Sequence, residues 1–139
     1  MVIYFYQSPK PDIGKKDVSV LVLSCIDSRF VESMTYNLSK SNIHNDFDLI
    51  TMAGASLGAL TWEQTFRDHI EIAISLHNIK EVYSIEHMDC GMYKNTYGND
   101  SLDLHIKNIN ELEKIVLSYG LKFKGFILDK RGNLIEFYP

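Results

Sequence analysis

The run Val18–Cys25, VSVLVLSC, constrains this chain more than any other segment. It is apolar without alternation and rich in β-branched residues. That pattern predicts a strand covered on both faces, as at the centre of a parallel sheet. Parallel neighbours cannot be joined by a tight turn, so such a strand demands helical crossovers. The rest of the chain supplies them. Phe47–Met52 and Glu81–Glu86 read as two further strands, with Val31–Lys40 as a short helix after the first. Trp62, Phe66, Ile70, Ala73, Ile74 and His77 recur at helical spacing, with Thr61 as the expected N-cap and Gln64 at the capping-box position. Tyr93–Ser101 reads as a polar loop, and Leu102–Tyr119 as the last helix, stopped by Gly120. Leu121–Leu128 and Asn133–Tyr138 form a hairpin around Asp129-Lys130-Arg131-Gly132.

The expected fold is therefore α/β: one domain over residues 18–139 with a mostly parallel four-stranded sheet, a C-terminal antiparallel strand and helices on both faces. Residues 1–17, broken by Pro9, Pro11 and Gly14, form an N-terminal arm. Its Tyr4, Phe5 and Tyr6 are too apolar for a free tail and predict packing on the sheet or on a second subunit. A length of 139 residues with 45% hydrophobic and 23% charged residues suits a single globular domain. A net charge of −4 and the lack of any basic run argue against a nucleic-acid partner. No stretch reaches the apolar length of a membrane span. The opening MVIYFYQSPKPDIGKKD has no basic segment followed by an apolar one, so the expected location is cytoplasmic, where thiols stay reduced.

The chain has 2 cysteines, and each follows a predicted strand, in Cys25-Ile26-Asp27-Ser28-Arg29 and His87-Met88-Asp89-Cys90. Two thiols and an imidazole are three of the four ligands of a tetrahedral zinc site. In extended backbone Cys25, Asp27 and Arg29 leave from one face, and Arg29 can fork onto the Asp27 carboxylate. His87 and Cys90 can share one ion across a tight turn, and Gly91 lets the chain turn again immediately after Cys90. Ala53 and Gly54 lie in a small-residue loop where backbone can approach the same place. If the second and third strands flank the first, the strand order reverses beside both motifs, where ligands bind in such sheets.

Glu86 and Asp89 are candidates for orienting His87, or else solvated charges beside a loop. Tyr93, Lys94 and Tyr97 are placed at the pocket mouth. Among the other histidines, His69 and His77 read as packing or surface residues and His44 as part of a polar turn. His105 reads as helical surface, with proton shuttling as its alternative role.

Taken together, CIDSR and HMDCG resemble the β-class carbonic anhydrases, whose signature is Cys-x-Asp-Ser-Arg followed by His-x-x-Cys-Gly. MAGAS is similar to the alanine-glycine loop of that family, and KGFILDKRGNL to its C-terminal hairpin. The resemblance extends from about residue 18 to residue 138. It implies zinc (Zn2+) on Cys25, His87 and Cys90. Asp27 would be either a fourth ligand in a closed form or, once Arg29 holds it away, the acceptor for a zinc-bound hydroxide. The implied reaction is reversible hydration of carbon dioxide to bicarbonate, in a homodimer or higher homo-oligomer. Ala53, Gly54 and Gly91 are the implied pocket positions.

The chain also departs from that pattern. A proline-broken arm replaces the N-terminal helices, and a brief polar loop replaces the insertion after Gly91. Thr51-Met52 stands where the family commonly has Arg-Asn, Met92 where it has a small residue, and the substrate-contacting glutamine has no match. Two further readings therefore stay open: a zinc hydrolase of carbonyl sulfide or carbon disulfide on the same scaffold, and a zinc-binding domain without hydratase activity.

Overall fold

The computed structural model describes residues 1–3 and 8–137, so the expectations for Tyr4, Phe5, Tyr6 and Tyr138 lie outside the described residues. Its centre is β1 (Val20–Ser24), every residue of which is buried. β2 (Phe47–Thr51) and β3 (Glu81–His87) flank it, both parallel. β4 (Lys122–Leu128) adds in parallel beside β3, and β5 (Leu134–Phe137) closes the sheet antiparallel to β4. The strand order is β2-β1-β3-β4-β5, so the direction of winding reverses between β1 and β3. This is the α/β arrangement predicted from the sequence.

Five α-helices complete the described chain: α1 (Val31–Ser39), α2 (Ser56–Thr61), α3 (Glu63–His77), α4 (Gly91–Tyr97) and α5 (Leu102–Ser118). β1 is buried on both sides because its residues alternate between two cores. Val20 and Val22 pack with Met34 and Leu38 of α1 and with Ile85 and Leu128. Leu21 and Leu23 pack with Phe66 and Ile70 of α3, Leu112 and Val116 of α5, and Val82. The periodic residues of α3 thus face the sheet, although Trp62 and His77 at its two ends stay partly or largely exposed.

Three local expectations are corrected. Thr61 does not cap the long helix: it ends α2, where its hydroxyl donates to the Leu57 carbonyl at 2.8 Å. Trp62 precedes α3 without a side-chain cap, and Gln64 donates to Asp68 instead of reaching back. Half of the small-residue loop is helical, because Gly54 (φ +80) and Ala55 (φ 49) turn the chain straight into α2. Gly58 keeps α2 close to that turn, since a Cβ there would fall on the Ala53 carbonyl oxygen. Finally, Tyr93–Tyr97 is not loop but the body of α4, ended by Gly98 at φ +77. Its sequence is polar, yet Tyr93 is fully buried and anchors the turn, so tertiary burial outweighs local composition.

Candidate metal centre

Cys25 follows β1, His87 is the last residue of β3, and Cys90 sits just beyond it. The reversal between these two strands brings the three side chains to one point: the Sγ atoms and an imidazole nitrogen all lie within 4.8 Å of one another. Asp89 makes the turn that lets His87 and Cys90 face the same way. Its φ of 63 lies in the left-handed region, which aspartate tolerates better than most residues. Gly91 follows directly after Cys90, where the chain leaves the turn as helix. It opens α4, has no positive φ, and an added Cβ would meet nothing within 4 Å.

The donor set fits a thiophilic divalent cation. The Nδ1 of His87 donates to the Met88 carbonyl at 2.7 Å, which leaves Nε2 as the bare acceptor. That Nε2 is buried and has no hydrogen-bond partner among the described residues. A buried polar atom without a partner is costly unless something electrophilic meets it. The ring is held in place by Phe30, stacked at 4.1 Å between centroids.

Beside it, the Cys25 thiol is lowered well below its ordinary range. The hydrogen bond from Cys90 is the main cause, opposed by burial and reinforced by the Gly54 N–H. Cys90 moves the other way, because it shares its proton with the Cys25 thiolate and is buried. Gly54 donates its N–H to Cys25 Sγ at 3.3 Å, the close backbone approach expected of a small-residue loop.

Asp27 and Arg29 meet by a different route from strand alternation, since β1 has already ended at Ser24. Asp27 caps the short turn Ser28–Phe30 and accepts the backbone N–H of Arg29 at 3.0 Å. The guanidinium then folds back onto it, with Nε 3.1 Å from Oδ1 and Nη2 2.7 Å from Oδ2. These bonds from Arg29, against modest desolvation, hold the Asp27 carboxyl at about 2. The same guanidinium reaches the second motif, donating to Asp89 Oδ2 at 2.9 Å and to the Asp89 carbonyl at 3.0 Å. Lys94 grips Asp89 from the other side and, with Arg29, holds its carboxyl at about 2. One arginine therefore ties both motifs together, and Asp27 Oδ2 stands 3.8 Å from His87 Nε2.

A small cavity of about 10 Å³ opens against this group, with Cys25, Asp27 and His87 on one wall. Phe30, Val31, Met34, Ile85 and Leu128 are its apolar lining, and Ser24 and Glu86 complete it. Ala53, Gly54 and Gly91 are not among its lining residues, nor are Thr51, Met52 and Met92. Met52 is buried in the core, and Met92 packs beside Cys90 and Tyr93.

The residues flanking the candidate ligands do not do what their positions suggest. His87 is oriented by the Met88 carbonyl, while Glu86 points its carboxylate at Ser56, Ser84, Tyr93 and His105. Tyr93 is interior rather than at a pocket mouth, and Lys94 and Tyr97 are exposed. His69 and His44 are exposed, and His77 pairs with Asp48 at 2.7 Å.

His105 is the largest departure, being fully buried between Glu86 and Asp100. Its place in the sequence carries a signal for this. It lies in register with Ile109, Leu112 and Val116 along the inward stripe of α5.

Residues 15–129 match the model of a protein family described as "Putative carbonic anhydrase". The chain belongs to this family. Among curated proteins it is 29% identical over 136 residues to an uncharacterized protein of Rickettsia bellii, covering 88% of this chain and 83% of that one. It is 33% identical over 92 residues to an uncharacterized protein of Rickettsia conorii, covering 63% of this chain and 50% of the relative.

Solved structures of similar fold include β-carbonic anhydrases. CafA of Aspergillus fumigatus gives a TM-score of 0.54 at 18% identity, covering 88% of this chain and 76% of that one. CcaA gives 0.57 at 15%, covering 90% and 82%. A tetrameric enzyme of Sordaria macrospora gives 0.55 at 14%, covering 91% and 83%. At these identities the likeness is one of fold.

Proposed function

We propose that this protein is a zinc-dependent carbonic anhydrase that interconverts carbon dioxide and bicarbonate. The observation that carries the reading is the convergence of Cys25, His87 and Cys90 within 4.8 Å, beside an Asp27 carboxylate held by Arg29. Zinc is the ion that two thiolates and one imidazole suit best, and when bound it supplies Lewis-acid activation of a water.

The chain's own residues do the rest. Arg29 occupies both carboxylate oxygens of Asp27, which favours an acceptor role for Asp27 over a fourth-ligand role. From there Asp27 orients the nucleophile by accepting its proton in a hydrogen bond, and Arg29 keeps the carboxylate ionised and aimed. Phe30, Met34, Ile85 and Leu128 give the cavity a small apolar wall, suited to a nonpolar triatomic substrate. The hydrolase alternative rested on Thr51, Met52 and Met92, which lie outside that lining, so no observation favours it.

The domain assignment, an arm over 1–17 and a zinc domain over 18–139, belongs to the same proposal, as do a homo-oligomeric state and a cytoplasmic location. A tetrameric relative in fold supports the oligomer, and no helix among the described residues is long and apolar enough to cross a membrane.

The test is stopped-flow carbon dioxide hydration on protein carrying one zinc per chain, from about pH 6.5 to pH 9. Two thiolates donate charge to the ion, so the rate should rise with pH. Asp27→Asn should lower it about 100-fold or more with zinc content unchanged. A fully zinc-loaded protein with no rate above background would refute the hydratase.

A further inference from the structure

Behind the two thiols lies a buried polar chain that the proposed reaction does not use. Glu86 neighbours the ligand His87 on β3 and is 1% exposed; His105 on α5 is 0% exposed. Glu86 Oε2 faces His105 Nδ1 at 3.2 Å, and His105 Nε2 meets Asp100 Oδ1. Asp100 then accepts the backbone N–H of the ligand Cys90 at 3.0 Å through its other oxygen. At the far end, Glu86 Oε1 accepts the backbone N–H of Ser56 at 2.9 Å. Ser56 ends the turn in which Gly54 donates to the sulfur of Cys25.

One continuous path therefore runs from the backbone of one thiol ligand to the turn that holds the other. Tyr93 seals it, stacked on His105 at 3.7 Å, with its hydroxyl against Glu86 at 3.4 Å.

Burying two carboxylates and an imidazole is expensive, and apolar side chains of similar volume usually hold a fold together as well or better. Glu86 is among the residues lining the cavity, but its carboxylate is taken up by Ser56, Ser84, Tyr93 and His105, and no hydrogen bond among the described residues joins the polar chain to the Asp27–Arg29 pair. The two ends of the polar chain reach the supports of Cys25 and Cys90. We propose that Glu86, His105 and Asp100 form a brace that sets the spacing of the two thiol ligands, and so the affinity of the site for a thiophilic divalent ion. The inference rests on the reading of Cys25, His87 and Cys90 as metal ligands. All three brace residues are positioning residues, since none of their side chains reaches the ligand atoms.

Zinc-loaded full-length protein is titrated with a chromophoric chelator to give the zinc affinity, and the cobalt-substituted form is read for its thiolate charge-transfer band. His105→Phe keeps the ring and its stack on Tyr93 but removes both polar contacts. It should weaken zinc binding about 10–100-fold and shift the cobalt band, with the far-ultraviolet circular dichroism unchanged. Asp100→Asn has one acceptor for two donors and should weaken zinc in the same direction, which covers the case in which the phenylalanine variant does not fold. The exposed His69→Gln should match the wild type.

A folded His105→Phe or Asp100→Asn that binds zinc within about twofold of wild type, with an unmoved cobalt band, overturns the brace. A wild-type protein that binds neither zinc nor cobalt overturns the ligand reading, and the brace with it.

Discussion

Arg29 shows how much one side chain can organise at the surface. It is 57% exposed, so no single ion pair it makes is worth much stability. Its value is geometric: four guanidinium bonds of 2.7–3.1 Å join the Asp27 carboxylate of one motif to the side chain and backbone of Asp89 in the other. A lysine ammonium keeps the charge but cannot span both acceptors in one plane. Arg29→Lys should therefore leave zinc content and thermal stability near wild type while lowering carbon dioxide hydration about 10-fold or more. Zinc analysis, thermal unfolding and stopped-flow rates on the same preparation check this.

Among the elements, α2 and α4 decide how the strand ends become a site, and each depends on a glycine for a different reason. Gly98 ends α4 in the left-handed region with open space around it, so Gly98→Ala should cost only the conformational penalty, about 1 kcal/mol. Gly58 lies inside α2 with ordinary helical backbone, but its missing Cβ is where the Ala53 carbonyl sits. Gly58→Ala forces backbone apart and should cost about 2–3 kcal/mol. Thermal or urea unfolding of the pair ranks the two effects. An equal or reversed order would mean that α2 can slide away from the Gly54–Ala55 turn without loss.

At the scale of the whole molecule, the contribution of His105 and the binding of zinc respond to pH in opposite senses. Burial favours the neutral form of His105, but the hydrogen bond and charge of Glu86, helped by Asp100, outweigh it and raise the imidazole above its ordinary 6.5. A raised folded value stabilises the fold fully below the unfolded value and loses that stabilisation as pH climbs through the folded one. Metal-free protein should thus lose unfolding free energy between about pH 6 and pH 9, relative to His105→Gln at the same pH values. Zinc-loaded protein should gain, because its ligands shed protons on binding. Urea unfolding at both pH values, with and without zinc, checks both signs.

The unbroken apolar run ending at Cys25, the spacing of the other strands, and the paired CIDSR and HMDCG motifs made the parallel sheet and the family resemblance legible in the sequence, while the strand order is fixed by the structure. These are local signals. Burial on both faces is written as a lack of alternation, and metal-ligand chemistry is written in residue type and spacing. What stayed hidden depends on which neighbour, near or far in sequence, a side chain meets once the elements pack. Thr61 looks like a helix cap until Leu57 is seen to take its hydroxyl, and the polar 93–97 segment looks like loop until Tyr93 is seen to be interior. The inward stripe of α5 marks His105 for burial, but not that it is clamped between Glu86 of β3 and Asp100 ahead of the helix. Which polar side chains are buried together is a property of how the elements pack, and only the tertiary structure decides it.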